Sequence, residues 1–192
     1  MNVPNLLTIL RVLMAVVMGL SLRQEGIAFA VIALFLFVLA SLTDALDGYW
    51  ARKYGQVTIF GKIMDPVADK VLTLTAFFVL AVQGVFSGWM VGLIALREVL
   101  VTLWRIVSMV RGVVLPAEGL GKIKTVFQMG TILFVLLWRV LVLWPPAMPW
   151  TRDLGSLFTF LAQGLMIGAV LITVISGAAY LFPRSKGCSS CA

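Results

Sequence analysis

Four aspartates carry the chemistry this chain could do. Asp44, Asp47, Asp65 and Asp69 lie within S-L-T-D-A-L-D-G-Y-W-A-R-K-Y-G-Q-V-T-I-F-G-K-I-M-D-P-V-A-D-K, and they are half of the eight acidic residues in the sequence. The flanks are apolar enough to enter a membrane, where carboxylates are expensive without partners. On helices, Asp44 and Asp47 are i and i+3, and Asp65 and Asp69 are i and i+4, so each pair shares a face. A short connection between two helices can bring the faces together. Four carboxylates that close repel one another unless cations neutralise them. The sequence has no histidine, so an all-oxygen site favours Mg²⁺ or Mn²⁺. Two such ions on three or four carboxylates can clamp a phosphoryl group and stabilise its attacking and leaving oxygens.

Composition says where this chemistry happens. The chain has 192 residues, 61% of them hydrophobic, with a mean hydropathy of +1.07. Soluble domains are nearer half apolar. One polytopic membrane domain is expected over residues 1–187, followed by a short polar tail at 188–192. The net charge of +7 suits cytoplasmic loops, anionic lipid or phosphate. The basic residues are scattered between apolar runs and form no stripe, so nucleic acid is not an expected partner. The lack of histidine removes a histidine base, a Ser-His-Asp triad and a phosphohistidine route. Cys188 and Cys191 form a C-S-S-C in the tail. That is two ligands where zinc takes about four, so a polar tail in a reducing compartment is the expectation. M-N-V-P-N at the start has no basic n-region and does not read as a signal peptide.

The elements that position the aspartates follow from apolar runs. Six are found, at about 6–22, 27–49, 63–83, 88–110, 122–144 and 154–182, predicting an all-α protein with six transmembrane helices. Turn residues separate them at Arg23–Gly26, Arg52–Gly61, Gly84–Gly88, Gly112–Gly121 and Pro145–Pro149. The uncharged run after Lys70 ends at Gln83, too short to cross ~30 Å of hydrocarbon at ~1.5 Å per residue. The third helix is therefore expected to begin near Ile63, with Asp65 and Asp69 in the embedded protein. Asp44 and Asp47 fall in the last turns of the second. Arg52, Lys53, Lys62, Arg111, Lys122, Lys124, Arg184 and Lys186 lie on one side, against Arg23 and Arg152 on the other. The positive-inside rule then puts both termini and the acid cluster at the cytoplasmic side.

Neighbouring residues refine the reading. Gly48 within a helix costs about 1 kcal/mol relative to alanine, and close approach of a ligand would repay it, with Ala51 keeping the same surface small. Arg52 is placed to neutralise a phosphate. The plainer alternative is that the acids pair with Arg52, Lys62 and Lys70 as an interfacial network. A lone D-x-x-D would fit that alternative; all four acids together with Gly48, Ala51, Arg52 and Gly61 favour a metal site. Further along, Arg97 and Arg105 are eight apart and lie roughly on one side of a helix, and Lys122 and Lys124 follow in G-K-I-K-T. Four cations beside an acidic metal site suit an acceptor that carries its own phosphate. For the two lysines the alternative is interfacial anchoring. Glu98 is expected to hold one of the arginines, and Arg11 to snorkel toward lipid phosphate.

D-x2-D-G-x2-A-R-x8-G-x3-D-x3-D is the signature of the CDP-alcohol phosphatidyltransferases, and this sequence resembles that family at every fixed position: Asp44, Asp47, Gly48, Ala51, Arg52, Gly61, Asp65 and Asp69. The resemblance implies a six-helix membrane fold, commonly dimeric, with a cytoplasm-facing cavity in a cell inner membrane. It implies two divalent metals held chiefly by Asp44, Asp47 and Asp65, with Asp69 as general base and further metal contact. The cytidine diphosphate of CDP-diacylglycerol would lie over Gly48, Ala51 and Gly61, near Asp44 and Arg52. The acceptor hydroxyl would attack the β-phosphorus and CMP would leave. P-N-L-L-T-I-L-R at 4–11, D-P-V-A-D-K at 65–70 and G-K-I-K-T-V-F-Q-M at 121–129 resemble the members whose acceptor is glycerol 3-phosphate. Arg97, Arg105, Lys122 and Lys124 would then bind the acceptor phosphate. Inositol phosphate or serine is the alternative acceptor. A cation transporter is the remote alternative, but its acids would be spread across the membrane depth and not clustered at one end.

Overall fold

Long runs of Leu, Val, Ala, Ile and Phe, broken only at Gly- and Pro-containing segments, leave the backbone one way to satisfy its hydrogen bonds without water, and that is the helix. The computed structural model describes residues 3–54, 59–110, 119–144 and 154–181. Among these it forms six α-helices and no strand: α1 (Val3–Arg23), α2 (Ile27–Tyr54), α3 (Ile59–Val82), α4 (Gly88–Val110), α5 (Gly119–Leu143) and α6 (Gly155–Leu181). The expected all-α fold is present, and each expected run falls on one helix.

The largest departures in the boundaries occur beside the acids. α2 continues to Tyr54 and α3 already begins at Ile59, so Arg52, Lys53, Gly61 and Lys62 are helical and not part of a loop. Hydropathy marks where a helix leaves hydrocarbon, whereas the helix itself ends where its hydrogen bonding ends. The stretch from Asp47 to Tyr54 has no proline to stop it, and its single glycine is tolerable within a helix.

α3 is the centre of the bundle. α1 packs along both α2 and α3, α3 also meets α4 and α5, and α6 closes the far side against α4 and α5. Among the described residues of α3, only Phe78 and Val82 are exposed large apolar side chains. The core runs through Met18, Leu72, Phe77, Leu80, Ile94, Ile132, Leu136 and Met166. Small residues let the helices approach closely. A Cβ on Gly19 of α1 would stand 2.7 Å from Thr75 Cγ2 of α3. Between α5 and α6, Phe158 stacks on Trp138 with ring centroids 4.4 Å apart and on Phe134 at 5.1 Å.

α3 ends in a Schellman motif. Gly84 takes φ +75°, Val85 N–H donates to Leu80 O at 3.0 Å and Gly84 N–H to Ala81 O at 2.9 Å. Ser87 then starts α4, accepting from Met90 N–H at 3.0 Å. At this end Gln83 Nε2 donates to Leu22 O, and Arg139 donates to Gln83 Oε1 (2.6 Å) and to Gln24 O (3.1 Å). One arginine thus ties α1, α3 and α5 at the end remote from the acids.

All six helices turn large apolar side chains outward, among them Leu20, Phe35, Phe78, Trp104, Val126 and Phe160. A soluble monomer does not expose so extensive an apolar surface. Among the described residues, Ile123–Leu143 and Gly155–Gly177 are long and apolar enough to cross a membrane, while Ile27–Thr43 and Lys70–Val82 are apolar but shorter.

Candidate active site

The helix boundaries decide which of the expected site residues share a face. Asp44, Asp47, Gly48, Ala51 and Arg52 all belong to α2, near its C-terminal end. Gly61, Asp65 and Asp69 belong to the N-terminal half of α3. The i, i+3 and i, i+4 spacings therefore fall on continuous helices, as the sharing of faces requires. The side chains of these eight residues lie outside the described residues, as do those of Arg105 on α4 and Lys122 on α5. The C-S-S-C tail lies outside them as well.

Immediately after Asp69, the structure shows a buried polar cluster. Lys70 of α3 pairs with Glu98 of α4 at 3.3 Å, Arg97 Nη1 lies 3.3 Å from the same carboxylate, and Lys124 of α5 donates to Glu98 Oε1. Glu98 is 2% exposed and Lys124 3%. One carboxylate thus gathers cations from three helices. Arg97 also reaches α6, where its Nη2 donates to Ser176 Oγ at 2.8 Å. About one helix turn from this, Gln128 Nε2 of α5 donates to Thr173 Oγ1 of α6 at 3.1 Å, and both side chains are 1% exposed.

Local sequence explains the arrangement. In α6, Met166, Ala169, Thr173 and Ser176 recur at three- and four-residue spacing and are all buried. This inward stripe is apolar until its last turns, where it becomes polar. In α4, Arg97 and Glu98 sit mid-helix, too far from either end for a charged group to reach water easily, so they must be satisfied inside. Buried charge is tolerable only when paired and hydrogen-bonded. The cluster achieves this with one acid and three bases.

The structure corrects two expectations and enlarges a third. Lys124 is not an interfacial anchor or a loop charge: it sits on α5 and points inward because Glu98 offers the only charge partner it is seen to have among the described residues. Arg11 does not snorkel: it is 2% exposed, its side chain enclosed within the protein. Glu98 holds not one arginine but three cations. Lys70, which the alternative network assigned to the aspartates, reaches Glu98. Sequence reasoning missed Ser176 and its neighbours. The available signal was T-x-x-S-G at 173–177, polar and small residues on one face of an otherwise apolar span.

The described residues thus define a class: a helical membrane protein with an acid-bearing helix pair beside a buried cationic cluster. The sequence model for CDP-alcohol phosphatidyltransferase matches residues 1–175, and the chain belongs to that family. A "Probable phosphatidylglycerophosphate synthase" of Mycobacterium tuberculosis is 38% identical over 184 residues, covering 94% of this chain and 80% of the relative. A "CDP-diacylglycerol--glycerol-3-phosphate 3-phosphatidyltransferase" of Bacillus subtilis is 37% identical over 191 residues, covering 93% of each. A protein of the same name from Rickettsia felis is 38% identical over 136 residues, covering 71% of this chain and 75% of the relative.

Proposed function

We propose that this chain transfers the phosphatidyl group of CDP-diacylglycerol to sn-glycerol 3-phosphate, releasing CMP and forming phosphatidylglycerophosphate. The names of relatives aligned over most of both chains support the reaction. The observation that carries the choice of acceptor is the convergence of Lys70, Arg97 and Lys124 on Glu98, next in sequence to Asp69. Even with Lys70 set aside, Arg97 and Lys124 face this one carboxylate, which leaves positive charge to spare in a secluded place. An acceptor bearing a phosphate dianion meets that surplus, whereas serine does not.

The aspartates are assigned by chemistry and helical spacing. Asp44, Asp47, Asp65 and Asp69 form a donor set of carboxylate oxygens alone, which fits Mg²⁺ or Mn²⁺. Two such ions bound there neutralise negative charge developing on the phosphoryl oxygens. Gly48, Ala51 and Gly61 leave room for the cytidine diphosphate, and Arg52 balances its charge. Asp69 takes the proton of the acceptor hydroxyl, that oxygen bonds to the β-phosphorus, and the phosphoanhydride bond to CMP breaks. Arg97, Arg105, Lys122 and Lys124 hold the acceptor phosphate, and Lys70 joins them.

In the same reading, residues 1–187 form one six-span catalytic domain of a cell inner membrane, commonly dimeric. Both termini and the site face the cytoplasm. The apolar outer face of every helix supports the bilayer setting. The positive-inside count, with the buried Lys124 left out of it, supports the orientation.

The test is CMP release by purified protein in mixed micelles of CDP-diacylglycerol with glycerol 3-phosphate. Turnover is expected to stop with EDTA and return with Mg²⁺ or Mn²⁺. Asp69→Asn is expected to keep Mn²⁺ binding and lose turnover. Metal flux into liposomes without CMP formation would overturn the enzyme reading in favour of a transporter.

A further inference from the structure

The acceptor site as read so far lies on α3, α4 and α5, yet Arg97 is held from behind by α6. Its guanidinium is gripped on two sides. Nη1 faces Glu98 at 3.3 Å and Nη2 donates to Ser176 Oγ at 2.8 Å. Ser176 is 1% exposed and its own hydroxyl donates to Thr173 O at 3.1 Å. That second bond fixes the hydroxyl rotor, so its oxygen presents a lone pair to the arginine. The next residue matters equally. A Cβ on Gly177 would stand 3.1 Å from Arg97 Cγ and 3.3 Å from Nε. Gly177 therefore leaves open the channel along which the arginine stem runs. Any side chain there would press on the stem while Ser176 holds its tip.

An isolated arginine in an apolar bundle has many rotamers, and fixing them costs conformational entropy at the moment a ligand binds. A guanidinium already fixed at the correct angle presents its donors without that cost. We propose that Ser176 and Gly177 are positioning residues for the acceptor phosphate, acting through Arg97. They aim the arginine without touching the substrate, and they make α6 part of the acceptor site. The proposal rests on the reading that Arg97 binds the acceptor's phosphate.

The experiment is steady-state kinetics of CMP release by the full-length protein, with each substrate varied in turn. Ser176→Ala removes the acceptor of the Arg97 bond. Gly177→Ala adds the crowding methyl, and alanine is also the better helix former. Loss of a hydrogen bond to a charged group corresponds to about tenfold in an equilibrium constant. Ser176→Ala is therefore expected to raise KM for glycerol 3-phosphate about tenfold, Gly177→Ala to raise it in the same direction, and both to leave KM for CDP-diacylglycerol unchanged. Ile175→Ala, on the exposed side of the same turn, is the control and is expected to change neither. In an Arg97→Lys background, Ser176→Ala is expected to add nothing, because residues acting through one group are not additive.

An unchanged KM for glycerol 3-phosphate in both variants would overturn the proposal. So would an equal rise for both substrates, or full additivity with Arg97→Lys. If one variant does not fold, the other decides. Failure of the underlying reading looks different: the unmodified protein would then turn over a phosphate-free acceptor and ignore glycerol 3-phosphate.

Discussion

Replacing Glu98 by Gln keeps the shape of the side chain and removes one negative charge from beneath three positive ones. The Lys70 and Arg97 nitrogens stand 3.3 Å from the carboxylate, and the Glu98 side chain is 2% exposed. At that separation one ion pair is worth about 5 kcal/mol before desolvation, at an effective dielectric of about 20. Desolvation of the four groups offsets most of the gross attraction. The loss on removing one partner of a buried pair is therefore set by the charges left behind, and is about 3–5 kcal/mol. For a chain of this size each kcal/mol moves the midpoint by about 2–4 °C, so a drop of about 6–20 °C is expected. The assay is thermal unfolding of the purified protein in detergent, followed by intrinsic tryptophan fluorescence. A double variant, Glu98→Leu with Lys124→Met, removes a charge of each sign and is expected to recover part of the loss. A Glu98→Gln midpoint within about 1 °C of the parent would refute the reasoning, since a buried anion facing the buried Lys124 and the part-buried Lys70 and Arg97 cannot be removed so cheaply.

Three further outcomes follow from the packing of the helices. Gly19→Val forces a branched side chain into the 2.7 Å gap before Thr75 Cγ2. It is expected to destabilise the α1–α3 packing by about 1–3 kcal/mol, read as a lower midpoint in the same thermal assay. Arg139→Ala severs the ties to Gln83 and Gln24 at the end remote from the acids; faster backbone hydrogen exchange is expected at residues 22–26 and 83–87, with KM for both substrates unchanged. Lys124→Ala removes a buried cation facing Glu98 and is expected to raise KM for glycerol 3-phosphate more than for CDP-diacylglycerol in the CMP-release assay. An equal effect on both would argue against its role at the acceptor phosphate.

Much of this fold is legible in the sequence because apolar runs and glycine- or proline-bearing breaks are local signals. Gly84 announces its turn, since only a residue tolerant of positive φ completes the Schellman motif after Leu80–Gln83. The ends of α2 and α3 are less legible. There the helices continue past the hydrocarbon, so polar residues such as Arg52 and Lys62 mislead a reading based on hydropathy. The acid signature is legible because its spacing is short and helical. The partners of Glu98 are not, because Lys70, Glu98 and Lys124 come from three helices and nothing local says which way each side chain turns. Arg11 and Lys124 illustrate the point. Arg11 lies within α1 and Lys124 near the start of α5; snorkelling and burial are both compatible with the sequence, and both side chains are buried in the structure. Ser176 and Gly177 are the least legible, since a serine and a glycine in an apolar span acquire meaning only once Arg97 is placed against them.

The most direct measurement of the central claim is CMP release by the purified protein with CDP-diacylglycerol, Mg²⁺ or Mn²⁺, and a panel of acceptors. The panel holds glycerol 3-phosphate, inositol phosphate, serine and glycerol. The account predicts rapid release with glycerol 3-phosphate and little with glycerol, which lacks the phosphate that Arg97 and Lys124 are proposed to bind. Equal turnover of glycerol, or turnover of serine without glycerol 3-phosphate, would contradict it.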